Sequence, residues 1–198
     1  MTSIPTLKRR NSAELDVFMD PIEFSQLVAI VNSVAPRYYL EWGSGGSTRA
    51  LLESCPFIER YVAIEHDPEW YKAVACAIED PRLALHLIES DEPYPPAGTP
   101  QREIEAWDHR AETDASMMKS YIDFPRTLDI EFDVILVDGR SRSLCLREGY
   151  KLLREGGVMV LHDAQRVDYQ AAISTFGNAT RLEPWKQGQV CLIRRSDG

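Results

Sequence analysis

The chain has 198 residues, 44% of them hydrophobic and 27% charged, the balance of a single globular domain rather than a disordered or membrane-spanning chain. Its formal net charge of -9 argues against nucleic acid as a partner, because neutralising a phosphate backbone takes clustered Lys and Arg. Cys55, Cys76, Cys145 and Cys191 stand far apart without a Cys-x-x-Cys pair, so zinc spacing is absent and reduced, buried thiols are expected.

The basic cluster Lys8-Arg9-Arg10 has no apolar run behind it, which reads as a loose segment over 1–19 of a cytoplasmic protein rather than a signal peptide. Asp20-Pro21 then opens a helix whose run Leu27 to Val34 is too short to span a bilayer. A strand over 38–42 follows, then a helix from Ser47 to Ser54, a strand from Tyr61 to Glu65, and a helix from Asp67-Pro68 to about Ile78. Leu83 to Ile88 reads as a third strand. The proline-rich stretch that follows, with a polar helix over 101–121, reads as a lid-like insertion over 91–125, with Tyr94 and Trp107 its candidate lid residues.

Phe132 to Val137 predicts a fourth strand, Ser143 to Arg154 a helix, and the strand VMVLH follows Gly156-Gly157. A helix near 169–176 precedes two short runs, 179–184 and 189–194, joined by WKQG, a connection that permits only an antiparallel hairpin. Short apolar runs separated by helices predict an α/β three-layer sandwich: a mostly parallel, doubly wound sheet ending in that hairpin.

The most informative stretch is YYLEWGSGGSTRAL at 38–51. Three glycines at the end of the first strand let a ligand approach the backbone closely, at the place where open parallel sheets bind small molecules. No lysine follows, which removes a P-loop. A dinucleotide fingerprint beginning at Gly43 would need a third glycine where Thr48 stands. Glu41, an acid ending an apolar strand, would repel a diphosphate and attract a cationic ligand.

Glu41-Trp42-Gly43-Ser44-Gly45 resembles the first motif of the class I S-adenosylmethionine-dependent methyltransferases, acid-x-Gly-x-Gly. Glu65 at the second strand end, LVDG at 136–139 and LLREGGVMVLHDA at 152–164 extend the resemblance over most of the chain. EWGSGGST, EHDPEW and VDGR are similar to a group of bacterial methyltransferase-like proteins. The resemblance implies S-adenosylmethionine held by Glu41, Trp42, Gly43, Ser44, Gly45, Gly46 and Ser47, with Glu65 and His66 at the ribose and Asp138 near the methionine part. It implies methyl transfer to a small-molecule acceptor, with a hydroxyl oxygen preferred. An NAD-dependent oxidoreductase and a non-catalytic S-adenosylmethionine-binding protein remain the alternatives.

Asp138 and Asp163 follow the fourth and fifth strands and should lie side by side, which needs a proton or a cation between them. In the catechol O-methyltransferase-like branch of the family such acids hold a divalent metal. Here Ala164 follows Asp163, where that branch has a further oxygen ligand, so Mg2+ is possible but not favoured and no metal ligand is assigned. His162 is a candidate general base beside the two acids. Arg140, Arg142 and Arg166 are candidates for gripping an acidic or sugar-like acceptor.

Overall fold

A computed structural model describes residues 15–195. The basic cluster at 8–10 and most of the segment expected to be loose therefore lie outside the described residues. Seven strands form one sheet in the order β3-β2-β1-β4-β5-β7-β6. The first five, β1 (Tyr38–Trp42), β2 (Arg60–Glu65), β3 (Leu83–Leu87), β4 (Phe132–Val137) and β5 (Leu153–Leu161), are mutually parallel. β7 (Cys191–Arg194) runs antiparallel between β5 and β6 (Ala179–Arg181).

The strands are apolar throughout because both faces are covered. Leu40, Trp42, Val62, Ile64, Ile135 and Val137 enter one core cluster, and the alternating Tyr39, Tyr61, Ala63, Val134 and Leu136 enter the other. α1 (Pro21–Val34) and α2 (Gly46–Ser54) cover the second face. α4 (Gln101–Thr113), α5 (Lys119–Asp123), α6 (Arg142–Leu152) and α7 (Val167–Ile173) cover the first. α3 (Pro68–Ala77) starts where Asp67 accepts from the amides of Glu69 and Trp70, as its Asp-Pro sequence predicts.

Several boundaries differ from the sequence reading, among them the shorter terminal strands, Ala179–Arg181 and Cys191–Arg194. The helix expected over 101–121 is broken: α4 stops where Asp114 caps a 3-10 turn, Ala115–Met118, α5 follows, and a second 3-10 turn spans Phe124–Leu128. β5 begins at Leu153, ahead of the glycines, and Gly156 takes φ +74° inside it. α7 ends at Ile173, three residues earlier than expected. Residues 15–19 are packed rather than loose, since Leu15 and Met19 are buried and Arg49 Nη2 donates to the Leu15 carbonyl at 2.9 Å.

The order reverses between β1 and β4: β1 leads out to β2 and β3 on one side, and the chain returns to β4 on the other. The carboxyl ends of these strands therefore border the crevice in which such sheets bind ligands.

Candidate functional site

Gly43 leaves β1 with φ +94°, a left-handed conformation that disfavours any side chain, and a Cβ there would stand 2.8 Å from the Gly139 backbone. The loops after β1 and β4 thus touch through two glycines. Gly45 is different, because its backbone is extended and a Cβ would meet the Trp70 ring at 3.5 Å, an ordinary contact. Trp70 also donates its indole N–H to the Ser44 carbonyl at 2.7 Å. Gly43→Ala should therefore lower stability by roughly 2–3 kcal/mol, and Gly45→Ala by less than about 1 kcal/mol; urea denaturation of the two variants checks the contrast, and equal effects would contradict it.

Gly46 and Ser47 open α2, and the segment carrying Leu15 crosses them: a Cβ at Gly46 would stand 2.7 Å from the Leu15 carbonyl oxygen. That contact, rather than a ligand, demands glycine at 46. Trp42 is fully buried and donates its indole N–H to the Tyr121 carbonyl at 3.1 Å, so its side chain belongs to the core and not to a ligand surface.

Glu41 also moves to a different role. Its carboxyl is fully buried beneath the loop, accepting from Thr48 Oγ1 at 2.5 Å and from the Tyr61 hydroxyl at 2.8 Å. Thr48 Oγ1 in turn accepts from the Gly45 amide at 2.8 Å. Burial pushes the Glu41 pKa up to about 8, against the pull of these hydrogen bonds. The residue that breaks the dinucleotide fingerprint is thus the one that couples the acid to the loop, and Glu41 shapes the loop from below instead of facing a cation.

Glu65 stands at the end of β2 with 3% exposure. Its carboxylate accepts from the His66 and Asp67 amides at 2.8 and 3.0 Å and, less tightly, from the Ser44 amide and hydroxyl at 3.2 and 3.3 Å. Burial alone would raise its pKa, but the His66 ring at 2.9 Å and the two amides hold it below the usual carboxylate value. His66 packs edge-on to Tyr121. Tyr121 is fully buried, and a Cβ added to Gly139 would collide with its hydroxyl.

The third part of the site lies at the ends of β4 and β5. His162 Nδ1 is 2.9 Å from Asp138 Oδ1, and its Nε2 is 3.0 Å from Glu23 Oε2. Burial opposes a charge on the ring, yet Asp138 outweighs it and lifts the His162 pKa to about 9. With both nitrogens engaged and the ring charged at neutral pH, His162 cannot take a proton from an acceptor, which corrects its assignment as a general base. Glu23 also accepts from the Gly188 amide at 2.5 Å. A Cβ at Gly188 would be 2.7 Å from Asp163 Oδ1, so the hairpin loop closes directly over the cluster.

Asp138 and Asp163 are brought together as expected, and the cation between them is Arg142. Its guanidinium lies 3.2 Å from Asp138 Oδ1 and 3.1 Å from Asp163 Oδ2. Arg142 is therefore not free to grip an acceptor. Arg140 pairs with Asp108 of α4 at 3.0 Å, and Arg166 donates to the Tyr169 hydroxyl at 3.1 Å while keeping an exposed side chain. Of the two candidate lid residues, Trp107 is buried in the core, whereas Tyr94 is half exposed and packs edge-on against it.

Sequence reasoning missed Glu23, Thr48, Tyr121 and Gly188. Thr48 had a signal, as the off-pattern residue of a glycine motif. Glu23 had none, since an acid in the first turn of a helix is common, and its partner lies 139 residues away. Two open hollows, about 490 and 630 Å3, lie away from the strand ends, at Tyr150 to Asn178 and between α1 and α2. At the strand ends Ser44, Glu65 and His162 are buried, whereas Asp138 and Asp163 are partly exposed.

Neither a protein-family model nor a curated protein sequence matches the chain. Its likeness is to solved structures. A methyltransferase-like protein from Silicibacter pomeroyi is 20% identical, with a TM-score of 0.58 over 91% of this chain and 89% of that one. An O-methyltransferase from Bacillus cereus, solved in complex with SAH, is 17% identical, with a TM-score of 0.60 over 90% and 82%. A spermidine synthase from Thermotoga maritima is 15% identical, with a TM-score of 0.51 over 89% and 60%, so the fold by itself does not fix the group transferred. The strand order, the antiparallel β7 and these likenesses together show that the chain has the fold of the class I S-adenosylmethionine-dependent methyltransferases.

Proposed function

We propose that the chain binds S-adenosylmethionine at the ends of β1 and β2 and transfers its methyl group to a small molecule, at a hydroxyl oxygen. The observation that carries this reading is Glu65, a buried carboxylate held below its usual pKa and tied to the glycine loop by its two longest hydrogen bonds, those from Ser44. A ribose diol offers two hydroxyl donors with which to replace the Ser44 pair, so binding exchanges two long bonds to the carboxylate for two shorter charge-assisted ones. The glycine loop and Asp138 suit the remainder of the cofactor, which when bound supplies the electrophilic methyl. The Bacillus cereus O-methyltransferase among the structural neighbours supports oxygen as the acceptor atom.

Methyl transfer from a sulfonium is an in-line displacement, so holding the acceptor close and aligned supplies much of the rate. The chain's contribution is then positional. Asp138 and Asp163 keep about a quarter of their side chains exposed at this edge. Asp163 Oδ1 has only a long contact, 3.4 Å from Gln165 Nε2, which makes Asp163 the acid that receives the acceptor hydroxyl.

Titration calorimetry with S-adenosylhomocysteine tests the proposal. The wild-type chain should bind it and should not bind NAD+. Glu65→Ala should weaken binding by roughly 1.5–3 kcal/mol, about 10- to 150-fold. Unchanged affinity in the variant would remove Glu65 from the ribose, and NAD+ binding in place of S-adenosylhomocysteine would overturn the cofactor.

A further inference from the structure

We propose that Arg142 is the resident cation of the strand-end acids, occupying the place between Asp138 and Asp163 that a divalent metal would otherwise fill. This deepens the reading of the site as a methyl-transfer site, although the geometry that supports it needs no cofactor. A guanidinium has five N–H donors in a fixed fork. Arg142 makes four hydrogen bonds and one further ion pair: Nε donates to the Gly139 carbonyl at 3.0 Å, Nη1 to the His162 carbonyl at 2.8 Å and Asp163 Oδ2 at 3.1 Å, and Nη2 to the Asp138 carbonyl at 3.0 Å, with Asp138 Oδ1 3.2 Å from Nη2 as an ion pair. The side chain thereby joins the carboxyl ends of β4 and β5 through three backbone carbonyls as well as two acids.

The backbone is arranged to put it there. Arg142 is the first residue of α6, preceded by Ser141 at φ +52°, and Asp163 stands at φ +61°. Non-glycine residues hold such angles only where their surroundings enforce them, and the cost is justified where a particular side-chain placement is needed. The Ser141 hydroxyl donates to the Ala111 carbonyl and the Arg142 amide to Glu112 Oε2 at 3.1 Å, so α4 fixes the turn from outside.

A metal does not fit this arrangement. Mg2+ requires near-octahedral oxygen ligands at about 2.0–2.1 Å, whereas one oxygen of each acid already accepts from the guanidinium. A dication beside Arg142 would also face the His162 ring, which meets the same Asp138 oxygen as the guanidinium, and like charges so close repel.

The test is Mn2+ binding followed by electron paramagnetic resonance, with the metal alone as probe, in wild type, Asp163→Asn, Arg142→Met and the double variant Arg142→Met with Asp163→Asn. Wild type should show no Mn2+ site tighter than about 1 mM that depends on Asp163. Arg142→Met uncovers the acid pair and should bind Mn2+ at least about tenfold tighter than wild type, and the double variant should lose that gain. Wild-type binding that disappears in Asp163→Asn would overturn the proposal, as would an Arg142→Met variant that folds and gains no Mn2+ affinity. Should Arg142→Met fail to fold, the wild-type and Asp163→Asn pair decides alone. Failure of the methyl-transfer reading would appear separately, as wild type that does not bind S-adenosylhomocysteine, and would leave the Mn2+ result interpretable.

Discussion

His162→Ala is expected to cost roughly 3–5 kcal/mol at neutral pH, because it leaves Glu23 buried and without its charged partner. The wild-type ring sits between Glu23 and Asp138, at 3.0 and 2.9 Å. Its pH dependence separates this from simple loss of packing. The folded pKa of about 9 lies above the ~6.5 of a free histidine, so the stabilisation is complete below the lower value and is lost as pH rises through 9. The difference corresponds to roughly 3 kcal/mol. Urea unfolding followed from pH 6 to 10 should show wild type weakening more steeply than the variant across this window, the variant keeping only the slope of the other buried groups, Glu41 and the thiols of Cys145 and Cys191 among them. Parallel curves would show that the ring is not charged in the folded chain.

Glu41→Gln should act in the opposite direction at alkaline pH. Burial raises the Glu41 pKa to about 8, well above the ~4.3 of a free glutamate. Folding is therefore fully favoured by this group below about pH 4.3 and loses support as pH rises toward 8, by roughly 5 kcal/mol in all. Glutamine keeps the shape without the charge, so the variant should be the more stable chain at pH 8.5 and the less pH-dependent one between 5 and 8. Because the Glu41 carboxyl lies under the loop against Thr48 and Tyr61, S-adenosylhomocysteine affinity should change much less than in Glu65→Ala. A large loss of affinity with an unaltered stability profile would return Glu41 to the ligand surface.

These two residues show what can and cannot be read from sequence. The five parallel strands were legible because each is a short apolar run buried on both faces, and a run of that kind between helices has few other uses. The glycine loop and the acids at 65, 138 and 163 were legible as positions, since the fold brings strand ends together. The partners of those acids were not. Sequence alone does not distinguish an Arg142 that grips a ligand from one held internally, or a His162 awaiting a proton from one charged between two acids. Such roles need groups far apart in the chain, His162 and Asp163 for Arg142 and Glu23 for His162. The helix expected over 101–121 was misread for a local reason, because its polar periodicity continues past Asp114, whose side chain caps a new turn and ends the helix.

The position of β7 bears on how the chain is made. It follows β6 in sequence but lies inside it in the sheet, and among the described residues β6 joins the sheet only through β7. A nascent chain that has emerged only as far as Gly188 can assemble β1 to β5, yet the outer backbone of Val158 to Leu161 has no strand to pair with. That open, apolar border is the kind of surface on which neighbouring chains associate. The few residues from Cys191 to Arg194 close it, so the border of β5 stays uncovered until a strand made after β6 has paired with it.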